Sequence, residues 1–360
     1  MKIGIYSPYL DTVGGGEKYM LTIAESLSKE NSVDVFLDSH LQTLSIKSIT
    51  EKASKLLDLN LEKVNFTKAP FGHGTKIWQR LNFLKKYDLF FYLTDGSIFY
   101  SSAKKSVLHI QSPIKVSNSS LWKKIKSSSW DLVIYNSNFT KENCEKFWKI
   151  KSQVLYPPVN TEVFKPTKKK NQILTVGRFF GFLKDKKHSL MIDSFKKIYD
   201  TKKINDWSFH LAGGAGEGDM EYVKELEELS KKYPIQIHPN LPFEDLKKLY
   251  AESSIYWHAS GYGETDPAKM EHFGITTVEA MSSGCVPIVI NKGGQKEIVD
   301  NDKNGILWNT TEELESKTLK LIEDEAQMLK LSKNAIEKSR EFSKEKFIEN
   351  INRIVKHETA

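Results

Sequence analysis

Cysteine is nearly absent from this chain of 360 residues, which contains only Cys144 and Cys285. The two lie far apart in the sequence and lack the close spacing of metal-ligating cysteines. The sequence therefore supports neither a disulfide framework nor a structural zinc site. Cys285 directly precedes an apolar stretch, where we expect a thiol that packs in the core.

Long apolar runs are also lacking, since none approaches the roughly 20 residues that a membrane-spanning helix needs. The first residues, M-K-I-G-I-Y-S-P, lead into a predicted strand and do not resemble a signal peptide. No solenoid-length repeat and no low-complexity segment is present. With 39% hydrophobic and 28% charged residues the composition is that of a soluble globular protein, and we expect a cytoplasmic location.

The positive charge of the chain is unevenly distributed. Residues 1–165 contain 23 Lys and Arg against 15 Asp and Glu, a net charge of +8, whereas the remainder contains 30 against 31. The basic half predicts an anionic partner, although a solvated lysine-rich surface explains the same count. No nucleic-acid-reading module is recognisable, so we expect no nucleic acid partner.

Two segments of the basic half, 77–86 and 122–126, combine apolar or aromatic residues with cations. One interpretation is a peripheral contact with an anionic membrane at the inner face of the cell envelope. The alternative is that the aromatic residues pack in the core and the lysines are solvated. The residues concerned are Trp78, Phe83, Leu84, Trp122 and Ile125 with Arg80, Lys85, Lys86, Lys123, Lys124 and Lys126.

Short apolar runs alternate with amphipathic segments along the chain, which is typical of βαβ units and parallel sheets. A first set of predicted strands comprises 2–7, 33–37, 64–67, 89–94, 107–111 and 132–136. A second set comprises 173–176, 208–212, 235–237, 255–259, 286–290 and 305–308. A proline-bracketed, lysine-rich linker separates them. We therefore predict two doubly wound α/β domains, 1–160 and 168–340, that face a cleft.

The segment E-H-F-G-I-T-T-V-E-A-M-S-S-G-C-V-P, which begins at Glu271, reads as a loop, a helix and a strand. The helix is predicted to begin at Thr276 as N-cap and to end before a glycine stop. The first amides of a helix have no intrahelical partner, so those of Phe273, Gly274 and Ile275 would suit a phosphate.

Two carboxylates flank this predicted anion site. Glu271 precedes the helix and Glu279 lies in it, so both can face one polar ligand, whose hydroxyls they would bind. An alternative exists for Glu279, because it stands three residues after Thr276 at the spacing of a capping box and could merely bond its own helix start.

Other residues that follow predicted strands are candidates because ligands of parallel sheets bind beyond the carboxyl ends of the strands. Gly15 and Gly16 belong to a triple glycine after the first strand, which could equally form a simple tight turn. His109 ends a strand, where a lone histidine is usually a core residue. Gly213 and Gly214 begin a glycine-rich turn that could be a surface loop.

Cations follow the first strand of the second domain. Arg178 lies in the stretch V-G-R-F, which ends the predicted strand, and Lys186 comes eight residues later. Together they could neutralise a pyrophosphate leaving group without a metal. Lys187 is the alternative to Lys186, depending on the register.

Taken in order, these motifs resemble the donor site of the retaining glycosyltransferases of family 4, which have the GT-B fold. By this resemblance Glu271 approaches the transferred sugar, Glu279 binds the ribose of the nucleotide, and Arg178 with Lys186 binds the diphosphate. Glycine loops line the nucleotide, and His109 faces the sugar from the first domain. Two departures stand out: the spacer between the cations is longer than in the family, and Lys187 replaces a glycine.

The resemblance implies a hexosyltransferase that moves a sugar from a nucleotide-diphosphate sugar to a glycan or lipid-linked acceptor, with no further cofactor. It also implies that a last helix, 343–357, crosses back to the first domain. The D-x-D at Asp300 and Asp302 lies in turn-forming sequence, so no metal is expected. The alternatives are an epimerase or phosphorylase on the same fold, or a non-enzymatic binder of anionic membrane or polymer.

Overall fold

A computed structural model describes residues 1–11, 14–43, 45–94, 96–114, 125–147 and 150–359. The chain divides into two compact units. Unit 1 comprises Met1–Pro158 together with Glu345–Ala360, and unit 2 comprises Val159–Lys344.

The centre of unit 1 is a parallel sheet of seven strands in the order β3-β2-β1-β4-β5-β6-β7. Its interior strands are continuous apolar runs such as L-F-F-Y-L in β4, because helices and loops cover both faces of the sheet. The strands are β1 Lys2–Tyr6, β2 Ser32–Leu37, β3 Val64–Lys68, β4 Leu89–Leu93, β5 Lys105–Ile110, β6 Leu132–Tyr135 and β7 Ser152–Val154.

Two cores form on the two faces of this sheet. One is aliphatic, and α1 packs into it through Tyr19, Met20, Ile23 and Leu27. The other is aromatic and includes a series of ring contacts around Phe36, Phe90 and Trp130. The helices of this part are α1 Gly15–Leu27, α2 Ile46–Leu57, α3 Ile77–Leu84 and α4 Asn138–Cys144.

Unit 2 contains a second parallel sheet, of six strands in the order β10-β9-β8-β11-β12-β13. Its strands are β8 Lys170–Val176, β9 Ser208–Gly213, β10 Ile235–Pro239, β11 Ser253–His258, β12 Val286–Ile290 and β13 Ile306–Trp308. Its helices are α5 His188–Asp200, α6 Met220–Ser230, α7 Phe243–Glu252, α8 Ile275–Ser282, α9 Gln295–Ile298, α10 Thr311–Glu323 and α11 Glu325–Ser339.

The last helix, α12 Lys344–Thr359, packs into the aliphatic core of unit 1. Its apolar side chains recur every three or four residues, which places them on one face: Phe347, Ile351, Ile354 and Val355. The ring of Tyr19 in α1 meets Phe347 edge to face, with 4.9 Å between the ring centroids. The core of unit 1 therefore includes residues from both ends of the chain.

The predicted fold class, two doubly wound α/β domains with parallel sheets, is confirmed. All twelve predicted strands are present. The sequence missed β7, a short and half-buried strand at the edge of the first sheet. Within the described ranges, no helix is long and apolar enough to cross a membrane.

Candidate active site

The strand order of unit 2 reverses direction between β8 and β11, which is where parallel sheets bind ligands beyond the carboxyl ends of their strands. Arg178 follows β8 after one residue, and His258 is the last residue of β11. The loop 259–274 then leads from β11 to α8 and carries Glu271. Several of the predicted site residues therefore meet at one edge of the sheet.

Glu271 is the centre of this group. Its Oε2 accepts a hydrogen bond from Lys186 Nζ at 2.8 Å, and a second from His258 Nε2 at 3.2 Å. The side chains of Glu271 and Lys186 are 21% and 24% exposed, so the pair lies in a recess but remains reachable from solvent. Lys186 thus pairs with Glu271, whereas Lys187, the alternative in the predicted register, contacts a different glutamate, Glu264.

The proximity of Glu271, Lys186 and His258 to one another determines which of these side chains are charged. Burial alone would raise the pKa of Glu271, but Lys186 and His258 outweigh it and hold that pKa well below its usual range. Burial would lower the pKa of Lys186, and Glu271 outweighs it in turn, so the pKa of Lys186 is raised. The result is a carboxylate and an ammonium that both remain charged at neutral pH.

His258 is a site residue that the sequence analysis missed. Burial lowers its pKa, so the ring is neutral, and its Nε2–H donates to Glu271. Its Nδ1 is buried without a hydrogen-bond partner, as fits the ring nitrogen that carries no proton. Its position at the end of a predicted strand could have indicated a site residue, but a lone histidine in an apolar run resembles a core residue.

Helix α8 begins two residues earlier than the sequence predicts. Gly274, with a φ of 121°, is the N-cap, so the assignment of Thr276 was wrong. A side chain at Gly274 would be strained by that φ and would place a Cβ 2.3 Å from Gln295 Nε2. Thr276 lies in the first turn, where its hydroxyl accepts a hydrogen bond from Tyr256.

The capping-box alternative for Glu279 therefore fails, because its partner Thr276 does not cap the helix. The carboxylate of Glu279 instead accepts a hydrogen bond from the hydroxyl of Tyr250 at 3.0 Å. The ring of Phe273 is buried and meets Phe342 edge to face, so only its backbone could contact a ligand. Ile275, the first residue of α8, is half-buried.

Glycines bring the ends of β8 and β9 together. A Cβ at Gly213 would lie 1.9 Å from the carbonyl oxygen of Gly177, and one at Gly214 would lie 4.0 Å from Cγ of Arg178. Phe179 N–H also donates to the Gly214 carbonyl at 2.8 Å. Arg178 thus lies between the two loops, and its charge opposes that of Glu271 by lowering the pKa of Lys186.

A second pair of glycines packs against the backbone of Glu271. Gly294 N–H donates to the carbonyl of Glu271 at 2.8 Å, and a Cβ at Gly293 would lie 2.3 Å from that oxygen. This pair therefore holds the backbone of Glu271.

The glycine-rich loop of unit 1 opens α1, with Gly14 as N-cap and Gly15 and Gly16 as its first residues. A Cβ at Gly16 would lie 2.7 Å from the side-chain amide of Gln111, which follows β5. Gln111 therefore lies under the start of α1, at the carboxyl end of the sheet. The sequence analysis did not consider it, although it belongs to the same H-I-Q-S-P stretch as His109.

His109 lies deeper in unit 1 and is only 1% exposed. Its ring stacks on Tyr19 with 3.9 Å between the centroids, and Nδ1–H donates to the carbonyl of Ile134 at 3.1 Å. Burial lowers its pKa to about 3, so the imidazole is neutral. Within unit 1 the structure thus places Gln111, rather than His109, beside the glycine-rich loop.

The D-x-D at residues 300–302 forms a turn in which Asp302 has a φ of 60° and its N–H donates to the carbonyl of Gly305. Among the residues that the structure describes, no group of three or more His, Cys, Asp or Glu side chains could hold a metal ion.

Residues 159–342, just over half of the chain, match the glycosyl transferases group 1 family. The chain belongs to this family. The match coincides with unit 2 almost from end to end, and it contains Arg178, Lys186, Glu271 and Glu279.

Individual proteins are also similar to this chain. The human GDP-Man:Man(3)GlcNAc(2)-PP-Dol alpha-1,2-mannosyltransferase is 29% identical over 201 residues, which is 51% of this chain and 39% of that protein. Alpha-1,3/1,6-mannosyltransferase ALG2 of Dictyostelium discoideum is 28% identical over 275 residues, or 66% of this chain and 63% of that protein. The chain thus spans well under two thirds of the human relative's length.

The fold of the whole chain is similar to that of Anabaena HepE, which has been crystallised in complex with UDP and glucose. The two share 19% identity with a TM-score of 0.71, and the similarity covers 99% of this chain and all of HepE. Unit 1 lies largely outside the matched family region, and the similarity in fold to HepE covers it as well.

Proposed function

We propose that this chain is a retaining glycosyltransferase, which transfers a hexose from a nucleotide-diphosphate sugar to a glycan or lipid-linked acceptor. The observation that carries this proposal is the group at the carboxyl edge of unit 2. There a charged Glu271–Lys186 pair, Arg178 and the first turn of α8 converge within the region that matches the family.

The chemistry of each group supports a role. Arg178, Lys186 and the first amides of α8, at Phe273, Gly274 and Ile275, suit the diphosphate, because cations and a helix N-terminus stabilise the charge that develops as it leaves. Glu271 then faces the sugar. Glu279, in the second turn of α8, binds the ribose of the nucleotide, and the turn at Gly213 and Gly214 lies beside the nucleotide.

Retention of configuration would follow if the leaving phosphate accepts the proton of the acceptor hydroxyl on the face from which it departs. Glu271 would be a weak base in the observed arrangement, since Lys186 and His258 both bond its Oε2 and hold its pKa well below the usual range. Its role is to orient sugar hydroxyls and to balance the charge of Lys186. Within unit 1, Gly15, Gly16 and Gln111 are proposed to bind substrate, and His109 lies behind them in the core.

The names of the relatives guide the choice of substrate. Two mannosyltransferases, one of which has a PP-Dol-linked acceptor in its name, favour GDP-mannose and a lipid diphosphate acceptor. HepE, whose structure contains UDP and glucose, is the alternative guide. We propose action at the cytoplasmic face of a membrane, without a metal or other cofactor.

A panel of nucleotide sugars tests the proposal in two steps. Thermal shift identifies the donor, because a ligand at 100 times its Kd stabilises a protein by about 2.7 kcal/mol. Transfer to a lipid diphosphate acceptor, in the presence and absence of EDTA, is then followed by mass spectrometry, and the anomeric configuration of the product by NMR. Turnover of the donor without any acceptor would indicate an epimerase or phosphorylase instead.

Contact with an anionic membrane is proposed for the surface around α3. Ile77 and Trp78 at its start are 66% and 58% exposed, and Lys76 before the helix and Lys85 and Lys86 after it are exposed as well. Each lysine near an anionic surface contributes about 1 kcal/mol. The surface is smaller than the sequence suggested.

Some residues of the predicted membrane surface have other roles. Leu84 is buried in the aromatic core, and the guanidinium of Arg80 lies 4.4 Å from the ring centroid of Phe99. Ile125 and Lys126 are exposed. Trp122, Lys123 and Lys124 lie outside the described residues.

Cosedimentation with liposomes tests this contact. Binding should increase with anionic lipid, decrease with salt, and drop when Trp78 becomes Ala or when Lys85 and Lys86 become Glu. The change of Lys47 and Lys55, on α2, to Glu is the matched control and should have less effect. Binding that is indifferent to salt, or equal losses in both double variants, would contradict a membrane role of α3.

A further inference from the structure

Lys187 occupies a position where the backbone favours glycine. It is the N-cap of α5 and has a φ of 57° and a ψ of 37°, which is the left-handed region. A residue with a Cβ is disfavoured in this conformation. This chain therefore keeps a side chain at a position where the backbone alone would favour glycine.

The side chain of Lys187 binds the loop that carries Glu271. Its Nζ donates to Glu264 Oε1 at 2.7 Å, and both side chains are 24% exposed. Lys186, the preceding residue, binds Glu271 at 2.8 Å. Two consecutive lysines thus hold two glutamates that lie seven residues apart on one loop.

This loop needs such fixation near its start. Gly261 and Gly263 have φ values of 101° and 75°, so the chain turns twice through conformations that only glycine adopts freely. Two turn hydrogen bonds, from Tyr262 N–H to the Ala259 carbonyl and from Glu264 N–H to the Gly261 carbonyl, hold this backbone, and a Cβ at Gly263 would meet no atom within 4 Å. The residue that follows it, Glu264, is the point at which Lys187 attaches.

Glu264 is also held from the opposite direction. Lys292 Nζ donates to its backbone carbonyl at 2.9 Å, while Lys187 binds its carboxylate. Farther along the loop, Gly294 N–H donates to the carbonyl of Glu271. Lys187 is therefore the link between the start of α5 and the glycine-containing half of the loop, and Lys186 is the link to its other half.

We propose that Lys187 is a positioning residue, which fastens Glu264 and thereby holds the loop 259–271 so that Glu271 faces the sugar. This inference rests on the proposed function for its catalytic consequence. The lysine does not touch the substrate. Its contribution is to fix a loop whose glycines would otherwise let Glu271 shift.

The change of Lys187 to Gly separates this role from a merely structural one. Glycine suits the left-handed backbone and should preserve or raise the thermal stability relative to Lys187→Ala. Hydrogen exchange of the peptide 259–271 should nevertheless become about tenfold faster. With the donor that the wild type accepts, kcat should fall about three- to tenfold, while the Kd of the free nucleotide diphosphate should change less than twofold.

Three further variants complete the test. Lys187→Arg should keep the exchange rate and kcat within twofold of the wild type. Glu264→Gln should reproduce the defect of Lys187→Gly, and the double variant should be no worse than either. Lys184→Ala is the matched control. Lys184 lies three residues before Lys187 and pairs with Glu225 at 2.6 Å, so its loss should leave the exchange rate of the loop 259–271 unchanged.

Unchanged exchange and kcat in Lys187→Gly would overturn the inference, as would additive losses in the double variant. Hydrogen exchange also separates this inference from the proposed function. If the wild type transfers no sugar, the proposed function fails. Faster exchange in Lys187→Gly would then still support the fixation of the loop, and unchanged exchange would overturn it.

Discussion

The change of Glu271 to Gln tests the charged group at its centre. The side chain keeps its size, but Lys186 loses its counterion and His258 loses a charged acceptor. Removing one partner of a fully buried ion pair costs about 3–5 kcal/mol, because it leaves an uncompensated charge. Both partners here are about one fifth exposed, so solvent screening reduces the expected loss to about 2–3 kcal/mol.

This loss should appear in the melting temperature of unit 2. For a domain of this size, 1 kcal/mol corresponds to about 2–4 °C, so Glu271→Gln should lower Tm at pH 7 by about 5–10 °C. Differential scanning calorimetry measures the difference. Glu244→Gln is a matched control, because Glu244 pairs with Lys247 at a similar 2.7 Å but is 79% exposed; the loss there should stay below about 0.5 kcal/mol.

The difference between wild type and Glu271→Gln should depend on pH in a defined direction. The pKa of Glu271 is lowered in the folded state, so its contribution is complete above the unfolded value of 4.5 and is lost as the pH falls through the folded value. The pKa of Lys186 is raised, so its contribution is complete below 10.5 and is lost above that, through the folded value. The difference in stability between wild type and Glu271→Gln should therefore be constant between these two pH values and should become smaller at acidic pH.

Activity completes this prediction. Transfer should be abolished or nearly so, while calorimetry should find the affinity for the free nucleotide diphosphate nearly unchanged, because Glu271 is proposed to contact only the sugar. An unchanged Tm at pH 7, or a difference that widens in acid, would refute the electrostatic reasoning. A large loss of nucleotide affinity would refute the assignment to the sugar.

Three other predictions concern neighbouring residues. Arg178→Ala and Lys186→Ala should each lower kcat/KM by about two to three decades, and Lys187→Ala should lower it much less; the reverse order in steady-state assays would contradict the assignment of the cations. Glu279→Gln should weaken nucleotide binding in calorimetry, and equal affinity would leave it only its hydrogen bond within the protein. Gly274→Ala should destabilise unit 2 by about 2 kcal/mol or more in denaturant titrations, since its φ and a buried glutamine exclude a Cβ; a smaller loss would mean that the turn adapts.

Much of the fold could be predicted because parallel strands covered on both faces are continuous apolar runs. β4 and β12 are fully buried along their length and were recognised at once. The strand β7 has only three residues, S-Q-V, all half-buried at the edge, so its hydrophobic signal is too weak. The start of α8 was misplaced because a threonine is a better N-cap by composition than a glycine whose φ only the structure reveals.

The candidate site could be predicted in part. The meeting of Lys186 with Glu271 follows from strand ends that share one edge of a sheet, although the residues are 85 positions apart. His258 could not be distinguished from a core residue, because the last residue of β11 is both buried and next to the candidate site. His109 lies in β5 and Gln111 directly follows that strand, and only the contact with Gly16 shows which of the two reaches the glycine-rich loop.

The chain enters and leaves unit 2 at a single place. Val159 N–H donates to the Phe342 carbonyl, and Lys344 N–H donates to the Val159 carbonyl, at 3.1 and 2.9 Å. Unit 2 is thus an insertion whose two ends are tied together, and the whole group around Glu271 is encoded in one uninterrupted segment. Such a segment can be exchanged between relatives in one recombination step. During synthesis on the ribosome, however, the core of unit 1 cannot be completed before unit 2 has been synthesised. The reason is that α12, which is part of that core, follows unit 2 in the chain.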